Sequence, residues 1–132
     1  MKKVLLSLSG ALIALGSFAQ LSGTYTIDGG SATSGTNYQT FSAAVSALGS
    51  NGVSGPVTFN VDEGTYSETV TFPTSITGSS SANVITFQSD GNNTANPVIT
   101  SGSYVINMGY GALNNITFRD LDLIGTSSYC VY

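Results

Sequence analysis

The chain has 132 residues, seven acidic and three basic side chains, no histidine and a formal net charge of −4. Nucleic acid and anionic lipid surfaces both require a basic footprint that is missing here. The lack of histidine also excludes a serine–histidine triad and histidine-ligated metal sites.

In chain order, Lys2 and Lys3 form a basic start, residues 4–15 a short apolar run, and Ser17-Phe18-Ala19 a small-x-small step before Gln20. The run is too short to span a bilayer, and no cysteine follows it directly. Residues 1–19 therefore read as a cleaved secretory signal peptide, neither a transmembrane nor a lipoprotein anchor. We expect an exported protein, secreted or held at the outer cell surface. Without residues 1–19, Arg119 is the sole cation against seven acids, a net charge of −6. That balance is compatible with a cation or a neutral glycan as partner, and solubility must come from hydroxyl and amide groups.

Residues 20–55 read as an N-terminal strand, a loop and a cap helix. The segment 21–27 (LSGTYTI) alternates as a strand, and 28–36 (DGGSATSGT) is a turn-rich loop. Phe41, Ala44, Val45 and Leu48 then fall at i, i+3, i+4 and i+7, one apolar helical stripe. Thr40 suits the N-cap, and Gly49 is expected to end the helix in the left-handed conformation. A lone amphipathic helix ahead of strands needs an apolar support. The exposed end of a strand stack supplies one, because terminal units of a solenoid require capping.

Residues 56–132 read as strands and turns. A β-branched residue followed by Thr and Phe recurs at Val57-Thr58-Phe59, Val70-Thr71-Phe72, Ile85-Thr86-Phe87 and Ile116-Thr117-Phe118. Each copy places apolar side chains at i and i+2 around a polar Thr, the pattern of a strand buried on one face. Recurrence of one strand type points to a stack of similar units, and the uneven spacing of the copies implies turns of different length. In 114–124 (NNITFRDLDLI), Ile116 and Phe118 share a face, as do Leu121 and Leu123, yet the alternation slips at Arg119-Asp120. A bulge would do this. A sharp bend with Asp120 in the left-handed region would do it while turning both strands toward one core. Cys130, the single cysteine, reads as a small buried strand residue between Tyr129 and Val131; a free thiol or an intermolecular bridge is the alternative. The chain stops at Val131-Tyr132 within a strand-like phrase, which reads as a stack cut short.

These parts assemble as an all-β fold, a right-handed parallel β-helix (solenoid) with a short N-terminal capping α-helix, truncated at its C-terminus. Sandwich and jelly-roll arrangements are the rivals. Residues 38–72 and the phrase NITFRDLDLIG resemble the pectin-lyase-like right-handed β-helix superfamily, and in particular the N-terminal part of bacterial surface proteins exported by the type IX route. Gly64-x-Tyr66-x-Glu68, followed by Val70, also resembles the start of the pectinesterase pattern. The aspartates and arginine that carry ester hydrolysis in that family are not found here. In their place, Gly64 supplies a turn, Tyr66 packs against it and Glu68 is a solvated strand-edge charge.

Arg119, Asp120 and Asp122 are the clustered charges late in the chain. The resemblance implies an outer groove where acids bind Ca²⁺ beside a basic residue, making Asp120 and Asp122 the candidate metal ligands. Calcium takes six to eight oxygens, so two carboxylates need help from elsewhere. The alternative is a bend residue, a solvent-facing Asp and a neighbouring Arg. Asp62-Glu63 divides in the same way between cation site and solvated turn. No catalytic set is complete. The reading is therefore a non-catalytic module contacting polysaccharide or cell-surface glycan, with adhesion as its role. The alternative is the N-terminal fragment of a polysaccharide-active enzyme, pectate-lyase-like or pectinesterase-like, whose catalytic coils lie downstream.

Overall fold

The computed structural model describes residues 19–108 and 114–126; residues 1–18, most of the segment expected to be a signal peptide, and Cys130 lie outside them. Among the described residues the architecture is mostly β, with ten strands in three parallel sheets and one short helix. No helix among them is long and apolar enough to cross a membrane.

The first sheet holds β1 (Leu21–Ile27), β2 (Asn37–Tyr38), β3 (Val53–Val61), β6 (Ile85–Ser89) and β9 (Ile116–Arg119), in the order β2-β1-β3-β6-β9. The second holds β4 (Thr65–Ser67), β7 (Val98–Ser101) and β10 (Asp122–Gly125); the third holds β5 (Val70–Thr71) and β8 (Ile106–Asn107). From β3 onward the chain visits the first, second and third sheets in turn, then starts again. Every pairing is parallel.

Three of the four β-branched-Thr-Phe phrases stack in register: Val57 pairs with Ile85 and Ile85 with Ile116, while Phe59 pairs with Phe87 and Phe87 with Phe118. The fourth corrects the sequence reading. Val70-Thr71 belongs to the third sheet, where Val70 pairs with Ile106. Counting it as an equivalent copy made the spacing look erratic. Without it, successive copies are 28 and 31 residues apart, one circuit of the three sheets.

Register alignment builds an aromatic column inside. Tyr25 lies 5.6 Å from Phe59, Phe59 4.8 Å from Phe87 and Phe87 5.5 Å from Phe118, with the last two pairs stacked at 13° and 17°. These spacings follow the roughly 4.8 Å separation of adjacent strands, so each ring fills the gap left by the one before. Phe59 and Phe87 are fully buried. Pro56 lies in β3 beside a register shift, where Leu21 pairs with Val53 but Gly23 pairs with Val57. A bulge suits a residue with no N–H to give the ladder.

Helix α1 (Phe41–Asn51) buries the predicted stripe of Phe41, Ala44, Val45 and Leu48 and packs against β1, β2 and β5. Thr40 is its N-cap, its side chain accepting from the Ala43 N–H at 3.1 Å. The helix does not end at Gly49. It runs to Asn51, and Gly52 at φ 68° closes it, donating its N–H to the Leu48 carbonyl at 2.9 Å. A side chain at Gly52 would come within 2.6 Å of the Thr77 carbonyl oxygen, so close approach and the left-handed angle both demand glycine. Gly49 instead sits inside the helix against Pro73.

The bend at Arg119-Asp120 is as the slipped alternation predicts. Asp120 has φ 54°, ending β9 and sending β10 into the second sheet. Ile116, Phe118, Leu121 and Leu123 all pack against the core, each only partly buried.

Candidate functional site

At the corner between the first and second sheets, the turn after β3 faces the loop after β1 across a groove of about 420 Å³. Asp28, Gln39, Asp62, Glu63, Tyr66 and Glu68 line it. Successive strands of the first sheet each end on an aspartate, because Ile27 pairs with Val61 and Val61 with Ser89, putting Asp28, Asp62 and Asp90 one step further along each strand. Asp28 and Asp62 reach this groove, and Asp90 lies beside it with them.

Several of these acids serve as internal acceptors. Glu68 departs most from expectation. It is not a solvated edge charge: its carboxylate accepts from the N–H groups of Phe41 and Ser42, both at 2.9 Å, and from the Ser42 hydroxyl. With Thr40 serving Ala43, the first three N–H groups of α1 are satisfied by side chains, and the anion lies at the positive end of the helix dipole. No spacing rule reveals this, because the partners lie 26 and 27 residues upstream.

Glu63 accepts from both the N–H and the hydroxyl of Thr94, each at 2.9 Å, and these bonds hold its carboxyl below the usual range, the backbone N–H first. Asn93 completes that link between successive circuits, accepting from the Glu63 N–H at 3.0 Å and donating to the Val61 carbonyl at 2.7 Å. The Asp62-Glu63 turn is thus bonded to the next circuit through Glu63. Asp28 is likewise lowered, first by the Ser31 side chain and then by the Gly30 N–H, which lies 2.7 Å from its Oδ1.

Tyr66 is buried on β4, edge-on to Phe41 at 5.1 Å. Its hydroxyl donates toward the carbonyls of Ile27 at 2.9 Å and Asp62 at 3.1 Å. Desolvation, with Asp62 adding to it, pushes the phenol up to about 12. Chemically the groove offers acceptors. A general acid needs a carboxyl raised toward working pH, whereas Asp28 and Glu63 move the other way and Tyr66 keeps its proton.

The residues singled out late in the chain are dispersed in their roles. Asp120 makes the bend, Asp122 accepts from the Asn96 side chain at 3.2 Å, and Arg119 pairs in the ladder with Gln88. No group of three His, Cys, Asp or Glu that could hold a metal ion occurs among the described residues.

No family model matches the chain, and neither does any curated protein or solved structure. The site is therefore judged on its own geometry.

Beyond the groove lies a surface without clustered charge, the outer face of the first sheet. Alternation places Thr24, Thr58, Thr86 and Thr117 outward between the buried apolar positions, and all four pair in register. A second column runs Thr26, Asn60, Gln88 and Arg119. There the side chains bond one another, Thr26 to Asn37 at 2.6 Å and Gln88 to Asn60 at 3.1 Å. Asn37, the buried polar residue, also donates to the carbonyls of Asp28, Ser31 and Ala32 and so holds the loop 28–36. The sequence signal for this face was the Thr within each phrase, read first only as evidence of a strand.

Proposed function

We propose that the chain is an exported, right-handed parallel β-helical module that contacts extracellular or cell-surface glycan without cleaving it. The observation that carries this reading is the outer face of the first sheet, a plane of hydroxyl and amide groups with Arg119 at its last strand and no acid on it. Hydroxyls and amides donate and accept with equal ease, which suits the mixed donors and acceptors of sugars. The cyclic visiting of three parallel sheets supports the β-helical arrangement, and parallel crossover connections are right-handed in nearly all proteins. Export rests on the basic start, short apolar run and small-x-small step of residues 1–19. A binding role is favoured over hydrolysis because three of the groove's four carboxylates, Glu68, Glu63 and Asp28, are committed to the helix terminus, to Thr94 and to the turn at Gly30.

The test is retention of the protein on a panel of soluble and insoluble polysaccharides, with new reducing ends and unsaturated products measured in the same samples, with and without Ca²⁺. Retention without product is expected. Sustained product release would overturn the binding role.

A further inference from the structure

We infer that the threonine column on the first sheet is the contact surface, and that its partner is an uncharged, extended polysaccharide lying across the strands. This rests on the glycan-contact reading above and adds to it the surface, the direction and the class of chain.

Three observations converge. The hydroxyls of Thr24, Thr58, Thr86 and Thr117 form no side-chain hydrogen bond among the described residues, in contrast to the neighbouring column. They lie at the surface, since no buried side-chain oxygen or nitrogen lacks a partner. Strand pairing sets them in line at a step of about 4.8 Å, and β-branching restricts χ1 so that little rotamer freedom is lost on contact. A preorganised line of free hydroxyls meets a ligand that offers a hydrogen-bonding group at each step, which is the chemistry of an extended sugar chain.

Charge decides which sugar chain. None of the seven acids lies on the strands of the first sheet; Asp28, Asp62 and Asp90 instead follow the ends of β1, β3 and β6, forming an anionic border along the threonine plane. Arg119 stands on the plane at its last strand, one cation against the three border acids, so a uronate polymer laid along the plane would on balance be repelled at low salt. A neutral polymer meets no such cost.

The experiment compares retention on insoluble neutral β-linked glucan with retention on polygalacturonate, for the unaltered protein and three variants. Thr58→Val with Thr86→Val removes two hydroxyls while keeping the β-branched shape. Thr58→Ser with Thr86→Ser keeps the hydroxyls. Thr71→Val alters an exposed threonine of the third sheet. Far-UV circular dichroism and thermal unfolding verify that each variant is folded. Each lost hydrogen bond is expected to weaken binding about fivefold, so the double Val variant should lose about twenty-fold or more. The Ser variant, which keeps the hydroxyls without the β-branch, should lose less than the Val variant, and the Thr71 variant should bind as the unaltered protein does. Undiminished binding by a folded double Val variant would overturn the surface assignment and leave the glycan-contact reading standing. Preference for polygalacturonate would overturn the choice of a neutral chain. Retention on neither polymer by the unaltered protein would overturn the inference, and retention on no member of the wider polysaccharide panel would overturn the reading beneath it.

Discussion

Two phrases of nearly the same composition, Ile85-Thr86-Phe87 and Ile116-Thr117-Phe118, meet different fates. Phe87 is fully buried and touches Phe59, Phe41, Phe72 and Phe118, while Phe118 touches Phe87 and Phe72 and stays partly buried. Near the other end of the stack, α1 lies against β1 and β5; toward β9 and β10 the large apolar Ile124 is 55% exposed. The difference comes from position in the stack, because a strand in a pile is buried by what lies on both sides of it. An identical local pattern therefore carries unequal energy.

The largest test of that contrast is truncation of the two rings. Phe87→Ala should cost about 3–5 kcal/mol, as for other buried aromatic truncations, and Phe118→Ala about half as much because its ring is only partly removed from water. Urea unfolding measures both. Equal losses would mean that β9 is packed as well as the inner strand β6.

Next in size is the clasp on α1. Glu68→Ala should lower stability by about 1–2 kcal/mol, the usual worth of a helix N-terminal cap, and Glu68→Gln by less, since an amide oxygen still accepts one N–H. A thermal shift for Glu68→Ala no larger than for a surface control would show that the capped end does not depend on its anion.

The pH response sharpens the same comparison, because the shifted groups sit around the corner near α1. Asp28 and Glu63 are depressed in the fold. Their contribution is complete above their unfolded values and is lost as pH falls through the folded ones. Tyr66 is raised from 10.0 to about 12, so its contribution is complete below pH 10 and disappears as pH rises toward 12. Stability followed from neutral pH to 11.5 should fall less steeply in Tyr66→Phe than in the unaltered protein. Parallel slopes would remove Tyr66 from the account. The smallest effect is expected from Ile124→Ser, within about 0.5 kcal/mol, measured by the same unfolding curves.

Much of the fold could be read from alternation alone. Leu21–Ile27, the buried stripe of α1, the N-cap at Thr40 and the left-handed Asp120 all follow from local rules, because in each the cause lies within a few residues of its effect. The misreadings share the opposite property. Glu68 depends on Ser42, Glu63 on Thr94 and Val70 on Ile106, pairs separated by 26 to 36 residues. Only the stacking of successive circuits brings them together. The two-residue strand β2 was missed because Asn37-Tyr38 is too short to show a period. For the candidate surface, the phrase threonines were visible but their register was not; an irregular count of phrases concealed that Thr58, Thr86 and Thr117 line a single sheet together with Thr24, which no phrase marks, and that Thr71 does not.

The register pairs have a kinetic consequence. From β3 onward each new strand of the first sheet closes a loop of about thirty residues before gaining its ladder partner, and among the described residues no hairpin offers a shorter route. Folding is then expected to be slow for a chain of this length, and to advance circuit by circuit from whichever end holds a completed template. The clasp between Glu68 and α1 makes the capped end that template, since it joins the helix to the first circuit before the second has any partner to pair with.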